Sequence, residues 1–292
     1  VSRIDSVSER EKLYIQALEK YFSDKEKDKK KRAQNYLKDL ESIVIKYPDD
    51  LEAKAFVAHR IWHNAREGTP ISSYVSLNSL IEDILVVEPL HPAHHYMIHL
   101  WDYRHPENAV QAAARCGVSG PSIAHMWHMP GHIYSRLKRY EDAVYQQEAS
   151  ARVDHAHMMR DRVMPDEINN FAHNNEWLIR NLSFVGRARD AMELAVNMTQ
   201  LPRHPKYNTL KKSGGSASYG RRRLLQILRE YQLYDEAIEL CQSSVLAVKS
   251  NPLEQLKTLR LLGCAAAMVG RQDLLAQAKF ELGELIEGAE SE

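Results

Sequence analysis

The chain has 292 residues, 44% of them apolar and 27% charged, an ordinary globular balance that excludes a disordered polyampholyte and a collagen-like or mucin-like fibre. Thirty-nine Lys and Arg offset 39 Asp and Glu, so no net field steers the protein to nucleic acid or to an anionic membrane, and a charged partner must be recognised locally. Cys116, Cys241 and Cys264 form no C-x-x-C pair, which argues against a disulfide framework or a thiolate zinc knuckle.

No run approaches the roughly 18 apolar residues of a membrane helix, and the opening VSRIDSVSEREK does not read as a signal peptide. A soluble protein is expected, cytoplasmic rather than secreted. Apolar residues recur at helical spacing, as in Leu37, Leu40, Ile43 and Val44, or Leu224, Leu225, Ile227 and Leu228, and no stretch alternates like a strand. Two helices are predicted at 6–23 and 27–46, with the charged run DKEKDKKKR (24–32) as a solvated surface. Antiparallel helix pairs follow. Their first members, the A helices, span roughly 49–65, 91–103, 121–137, 165–184, 217–231 and 252–269. The B helices span roughly 72–87, 106–116, 140–160, 187–200, 234–249 and 271–287. The implied layout is N-terminal helices at 1–46, histidine-rich repeats at 47–200, a basic Gly/Ser-containing loop at 201–219, and C-terminal repeats with a capping helix at 220–292.

A short polar turn enters each of several B helices with a small Ala behind it: HPENAV (105–110), RYEDAV (139–144), ARDAM (188–192) and LYDEAI (233–238). The Ala positions 109, 143, 191 and 237 are spaced by 34, 48 and 46 residues. The first spacing is the tetratricopeptide period and the others exceed it, as longer helices or loops would require. Proline-bearing turns at 47–53, 88–94, 164–170 and 250–256 precede A helices, where the missing N–H costs nothing. On these residues, the stretch 30–288 resembles tetratricopeptide-repeat proteins. The resemblance implies an all-α, right-handed α-solenoid of helical hairpins, its concave wall lined mainly by A helices.

Ten of the 14 histidines fall on the first four A helices: His59, His63, His91, His94, His95, His99, His125, His128, His132 and His173. Four H-x-x-x-H pairs result, 59/63, 91/95, 95/99 and 128/132. Such a pair presents two imidazoles from one helical face, a ready half-site for zinc, iron or copper. Helices packed at about 8–10 Å could gather His95, His99, His128, His132 and His173, with Asp102, Asn174 and Glu176 beside them, and Pro130–Gly131 would kink the helix that carries the central pair. The alternative is a metal-free polar groove that takes a peptide carboxylate. Taken singly, each histidine reads as a core or groove-lining residue. HYMIHLWD (95–102), AHMWHMPGHIYSRLKRYEDAV (124–144) and FAHNNEW (171–177) further resemble a bacterial tetratricopeptide subfamily with a His-Met-Pro-x-His-Ile motif. That resemblance marks His95, His99, His128, Met129, Pro130, His132, His173 and Asn174. Gly131 departs from its usual Ser, and Asn175–Glu176 from its usual His or aromatic.

Between 194 and 229 no residue is acidic, while Arg203, Lys206, Lys211, Lys212, Arg221, Arg222, Arg223 and Arg229 are basic. With Ser216 and Ser218 ahead of the next helix, these residues are either a solvated loop or an anion-binding segment in which Arg221 and Arg222 take part. Two functions compete. In the first, the chain is an interaction domain that holds a peptide or protein segment, or another domain of its parent chain, with A-helix aromatics such as Trp127 as anchors. In the second, it is a metal-dependent hydrolase or oxidoreductase in which Glu176 or Asp102 acts as base or ligand orienter. Nucleic-acid binding is the weakest reading, since zero net charge comes without an interleaved stacking motif.

Overall fold

In a computed structural model, residues 4–23, 26–168, 170–204, 206, 215–247 and 251–290 are described. They form fourteen α-helices and no strand. The chain divides into two compact units, Val1–Pro121 and Ser122–Glu292.

The first unit holds α1 (Glu9–Phe22), α2 (Lys29–Lys46), α3 (Leu51–Arg66), α4 (Tyr74–Val87), α5 (His94–Trp101) and α6 (Val110–Ser119), each packed on the next. Polar caps define the starts. Ser8 and Glu11 form a reciprocal capping box, and the Asp28, Asp50 and Ser73 side chains accept N–H groups of the first turns of α2, α3 and α4. Leu40, Ile43, Ala53 and Val57 make the α2–α3 core. The helix expected over 91–103 is shorter, because Pro89 and Pro92 keep 88–93 in turns. The helix expected over 106–116 begins as a 3-10 turn at Pro106–Ala109 before α6.

The second unit holds α7 (Ala124–Arg136), α8 (Tyr140–Asp161), α9 (Phe171–Phe184), α10 (Ala188–Gln200), α11 (Ser216–Glu230), α12 (Tyr234–Gln242), α13 (Pro252–Met268) and α14 (Gln272–Glu290). Sequential helices pack pairwise, and α9, α11 and α13 also pack side by side. The four A helices end alike. Lys138, Gly186, Gln232 and Gly270 lie at φ between 54° and 79°. The next N–H in each turn reaches back five residues, from Arg139 to Tyr134, Arg187 to Leu182, Leu233 to Leu228 and Arg271 to Ala266, at 2.8–3.0 Å. This is the Schellman closure, and it returns the chain at the same angle each time. The marker alanines behind these turns, Ala143, Ala191 and Ala237, are all fully buried, which lets B helices approach A helices closely. The helix expected over 234–249 stops at Gln242, where Ser243 turns extended and its hydroxyl takes the Leu240 carbonyl. Of the basic loop expected at 201–219, residues 205 and 207–214, which include Lys211 and Lys212, lie outside the described residues, and 216–219 already belong to α11.

Candidate metal centre

Helix α7 runs unbroken through Pro130, and its stretch from His128 to Ser135 is buried on every residue. Proline leaves the Met126 carbonyl without its helical donor. At Gly131 a Cβ would stand 2.7–3.0 Å from Nε2, Cγ and Cδ of Gln147, so α8 rests its glutamine side chain on bare backbone. A Ser at 131 would collide with that glutamine.

One turn apart on this segment, His128 and His132 bring their Nε2 atoms to 2.9 Å. His173 of α9 joins them, its ring centroid 5.0 Å from His128 and 5.9 Å from His132. One nitrogen from each ring lies within 4.8 Å of the others. His128 and His132 are 1% and 7% exposed, whereas the His173 side chain is 39% exposed and forms the solvent side of the cluster.

The protonation of His128 follows from its neighbours. Asn174 Nδ2 donates to the Gln147 carbonyl at 3.2 Å, which fixes the amide and turns Oδ1 toward His128 Nδ1 at 3.0 Å. An amide oxygen only accepts, so His128 carries its proton on Nδ1 and presents a lone pair at Nε2. Without a metal, His132 then donates its Nε2 proton to His128. Burial, then the neighbouring His132 and His173, holds the His128 pKa well below the usual imidazole value. His173 is lowered by burial first and by His132 next, and His125 by burial and the same two rings. Neutral imidazole is the form that ligates.

A single stretch of α9 supplies the surroundings. His173 is one of the three rings, Asn174 orients His128, and Glu176 places Oε2 3.9 Å from His173 Nδ1. Trp177 stacks on His132 at 4.1 Å and 13°. Glu176 Oε1 is held by Arg222 Nη2 at 2.9 Å and by Arg223 Nη2. Behind this, Asn181 donates to Gln147 Oε1 at 2.8 Å and accepts from the Ser135 hydroxyl at 2.9 Å. These buried side chains are thus tied to one another, as a low-dielectric setting favours, with Gln147 Nε2 left without a hydrogen-bond partner among the described residues.

The structure therefore brings together His128, His132, His173, Asn174 and Glu176, with Arg222 on the rim. His95 and His99 belong to the first unit, where their rings lie 4.5 Å apart and His99 stacks on Trp62 at 4.3 Å. Asp102 caps α5 there and is buried. Trp127 is half-buried on α7, and the ring against His132 is Trp177. Arg221 is buried and paired with Glu254 at 3.4 Å, an α11–α13 tie. Glu176 is engaged by two guanidiniums, so a role as general base has no support in the geometry. Sequence reasoning passed over Gln147, Asn181 and Ser135. The available signal was QQEAS (146–150), polar where a B helix usually buries apolar residues.

The chain is all-α, built of tetratricopeptide-like helical hairpins of the α-solenoid class. Comparison of the sequence with protein-family models gives no match, and comparison with curated proteins gives none. Among solved structures, the chain is similar to one in a structure of Naa15/Naa10 bound to HypK-THB, with TM-score 0.56 and 15% identity over 94% of this chain and 36% of that one. It is also similar to PilF of Pseudomonas aeruginosa, with TM-score 0.44, 15% identity, 82% of this chain and 92% of that one. Yeast Tom70 gives TM-score 0.35, 12% identity, 91% of this chain and 65% of that one. This chain therefore spans about a third of the length of the first of these. Among the described residues, no helix is long and apolar enough to cross a membrane.

Proposed function

We propose that this chain is a helical-repeat interaction domain whose second unit carries a three-histidine centre for a divalent transition metal, zinc, iron or copper. One observation carries the reading: three imidazoles from two helices converge, and a carboxamide and a carboxylate of α9 back two of them. Ligand nitrogens around a tetrahedral ion stand about 3.3 Å apart at metal–nitrogen distances near 2.05 Å. The 2.9 Å pair needs only a slight opening, and His173, at the surface, supplies the remaining swing. Orientation by groups behind the ligands is the arrangement of metal-binding histidines in general.

The His-Met-Pro-Gly-His-Ile segment, 128–133, on which the likeness to a bacterial tetratricopeptide subfamily rests, is then the ligand-bearing strip. Its partner is proposed to be a peptide or protein segment, or another domain of the parent chain. The neighbour from the structure of Naa15/Naa10 bound to HypK-THB lends that idea a precedent. A second reading is a metal-dependent enzyme. It is favoured by the count of three protein ligands with one solvent-side ring, since catalytic sites keep a position open.

The test is direct. Protein purified without a polyhistidine tag and stripped with chelator should take up one zinc ion per chain on dialysis. His132→Ala should abolish that uptake and leave the far-ultraviolet circular dichroism unchanged. No tight ion in the wild type, or the same stoichiometry in the variant, would overturn the proposal.

A further inference from the structure

We propose that the open position of this centre takes a small oxyanion of phosphate or carboxylate type, with Arg222 as its second anchor; the inference rests on the three-histidine reading above. Three imidazoles ligate as neutral bases, so a bound divalent ion keeps its full charge. Beside His173, two guanidiniums, Arg222 and Arg223, meet one carboxylate, Glu176. That surround retains one positive charge and adds to the ion's own. A cation with no anionic ligand, in a half-buried setting, draws an anion rather than a neutral molecule.

The direction of approach is fixed by exposure. His128 and His132 are buried, and His173 is the ring that solvent reaches. On that side stands Arg222, 55% exposed, its guanidinium 4.7 Å over the Tyr219 ring. It spends Nη2 on Glu176, and a guanidinium offers five N–H donors in a planar fork suited to two oxygens of one anion. Arg223, 17% exposed, holds Glu176 from the inner side and also donates to Gln226 at 2.6 Å. The division of labour is thus an inner arginine that fixes the carboxylate and an outer one that meets the ligand.

The experiment uses the full chain loaded with cobalt(II), whose visible absorption reports the inner coordination sphere, titrated with inorganic phosphate, with acetate and with chloride. Saturable change with phosphate or acetate, but not with equal chloride, is expected, and the stronger responder names the oxyanion class. Arg222→Gln should weaken that response tenfold or more while cobalt still binds, and Arg222→Lys should recover part of it through charge alone. If cobalt binds to the wild type but neither oxyanion alters its spectrum, or if Arg222→Gln responds like wild type, the anion inference fails and the metal centre stands. If cobalt does not bind, the centre fails and the anion inference with it.

Discussion

Replacing Asn174 by Ala separates a positioned metal ligand from a merely buried histidine. Asn174 is fully buried and makes two hydrogen bonds, to His128 Nδ1 at 3.0 Å and from Nδ2 to the Gln147 carbonyl at 3.2 Å. Truncation strands His128 Nδ1–H away from water, while the Gln147 carbonyl keeps the Ala151 N–H within α8. At about 1–3 kcal/mol for a buried group left unsatisfied, the loss of stability should be about 1–3 kcal/mol. The same change frees the His128 ring to rotate and to move its proton, and loss of such an orienting group typically costs about 10–100-fold in metal affinity. Asn174→Asp is the control. It keeps an acceptor for His128 Nδ1–H but sets a carboxylate oxygen against the Gln147 carbonyl. It should therefore be destabilised comparably and yet bind zinc within a few-fold of wild type. Denaturant unfolding of the metal-free proteins reads the first quantity, competition with a chromophoric chelator the second. Nitrogen-15 spectra of metal-free wild type should show His128 as the Nδ1–H tautomer. Zinc affinity unchanged in Asn174→Ala, or an Nε2–H tautomer at His128, would refute the reasoning.

Gly131→Ala drives a Cβ to within 3.0 Å of the Gln147 side chain, whose Oε1 is held by Asn181. Overpacking of about 1–3 kcal/mol should exceed the ~1 kcal/mol gained from helix propensity, and Gln147→Ala in the same chain should recover part of the loss; a variant more stable than wild type by thermal unfolding contradicts this. Asp154 is buried with Oδ2 unpartnered, and burial pushes its pKa up to about 6. The folded state therefore binds the proton more tightly than the unfolded one, and stability falls as pH rises from about 4 to about 6. Asp154→Asn should raise stability by about 2 kcal/mol at pH 7.5 and by little near pH 4, a contrast read by denaturant titration at the two values. His128 acts with the opposite sign. Its lowered pKa leaves the unfolded chain binding more protons below pH 6.5, so its contribution is full above that value and is lost as pH falls through it toward the folded pKa. A His128 ring already protonated at pH 6 in the folded protein, by nuclear magnetic resonance, would negate this.

Local physics made most of the fold legible. Apolar spacing, Asp and Ser caps, and Pro at helix entries are all decisions of a few adjacent residues, and these set most helix limits to within a few positions. The helix expected over 165–184, however, begins only at Phe171, after a 3-10 turn at Pro165–Glu167. The marker alanines behind three turns proved fully buried, as a close A–B approach requires. Where the reading failed, the cause was also local. Pro89 and Pro92 hold the chain out of helix before α5, and Ser243 offers its hydroxyl to a carbonyl and ends α12. The left-handed residues at Lys138 and Gln232 carry no such mark, because turn closure there is enforced by packing of the whole hairpin rather than by glycine.

The centre was legible only where its chemistry lay on one helix. His128 and His132 declare themselves by their spacing. That His173 meets them depends on the pairing of α7, α8 and α9, which no single segment encodes. Gln147 illustrates the gap. As one polar residue in a B helix it reads as surface, yet it is fully buried. Its backbone carbonyl orients Asn174 and its side chain lies on Gly131. The glycine and the glutamine are one feature, since removing the Cβ from α7 makes the room that the amide fills. A repeat array depends mainly on contacts between neighbouring units, so a polar block confined to one hairpin and its successor leaves the rest of the core apolar. Around α10–α14 that core is built on Met198, Leu224, Ile227, Leu228 and Leu246, all buried. The stability forgone at the histidines is thus confined to the elements that hold them, and the polar network of α7, α8 and α9 keeps the three rings in register.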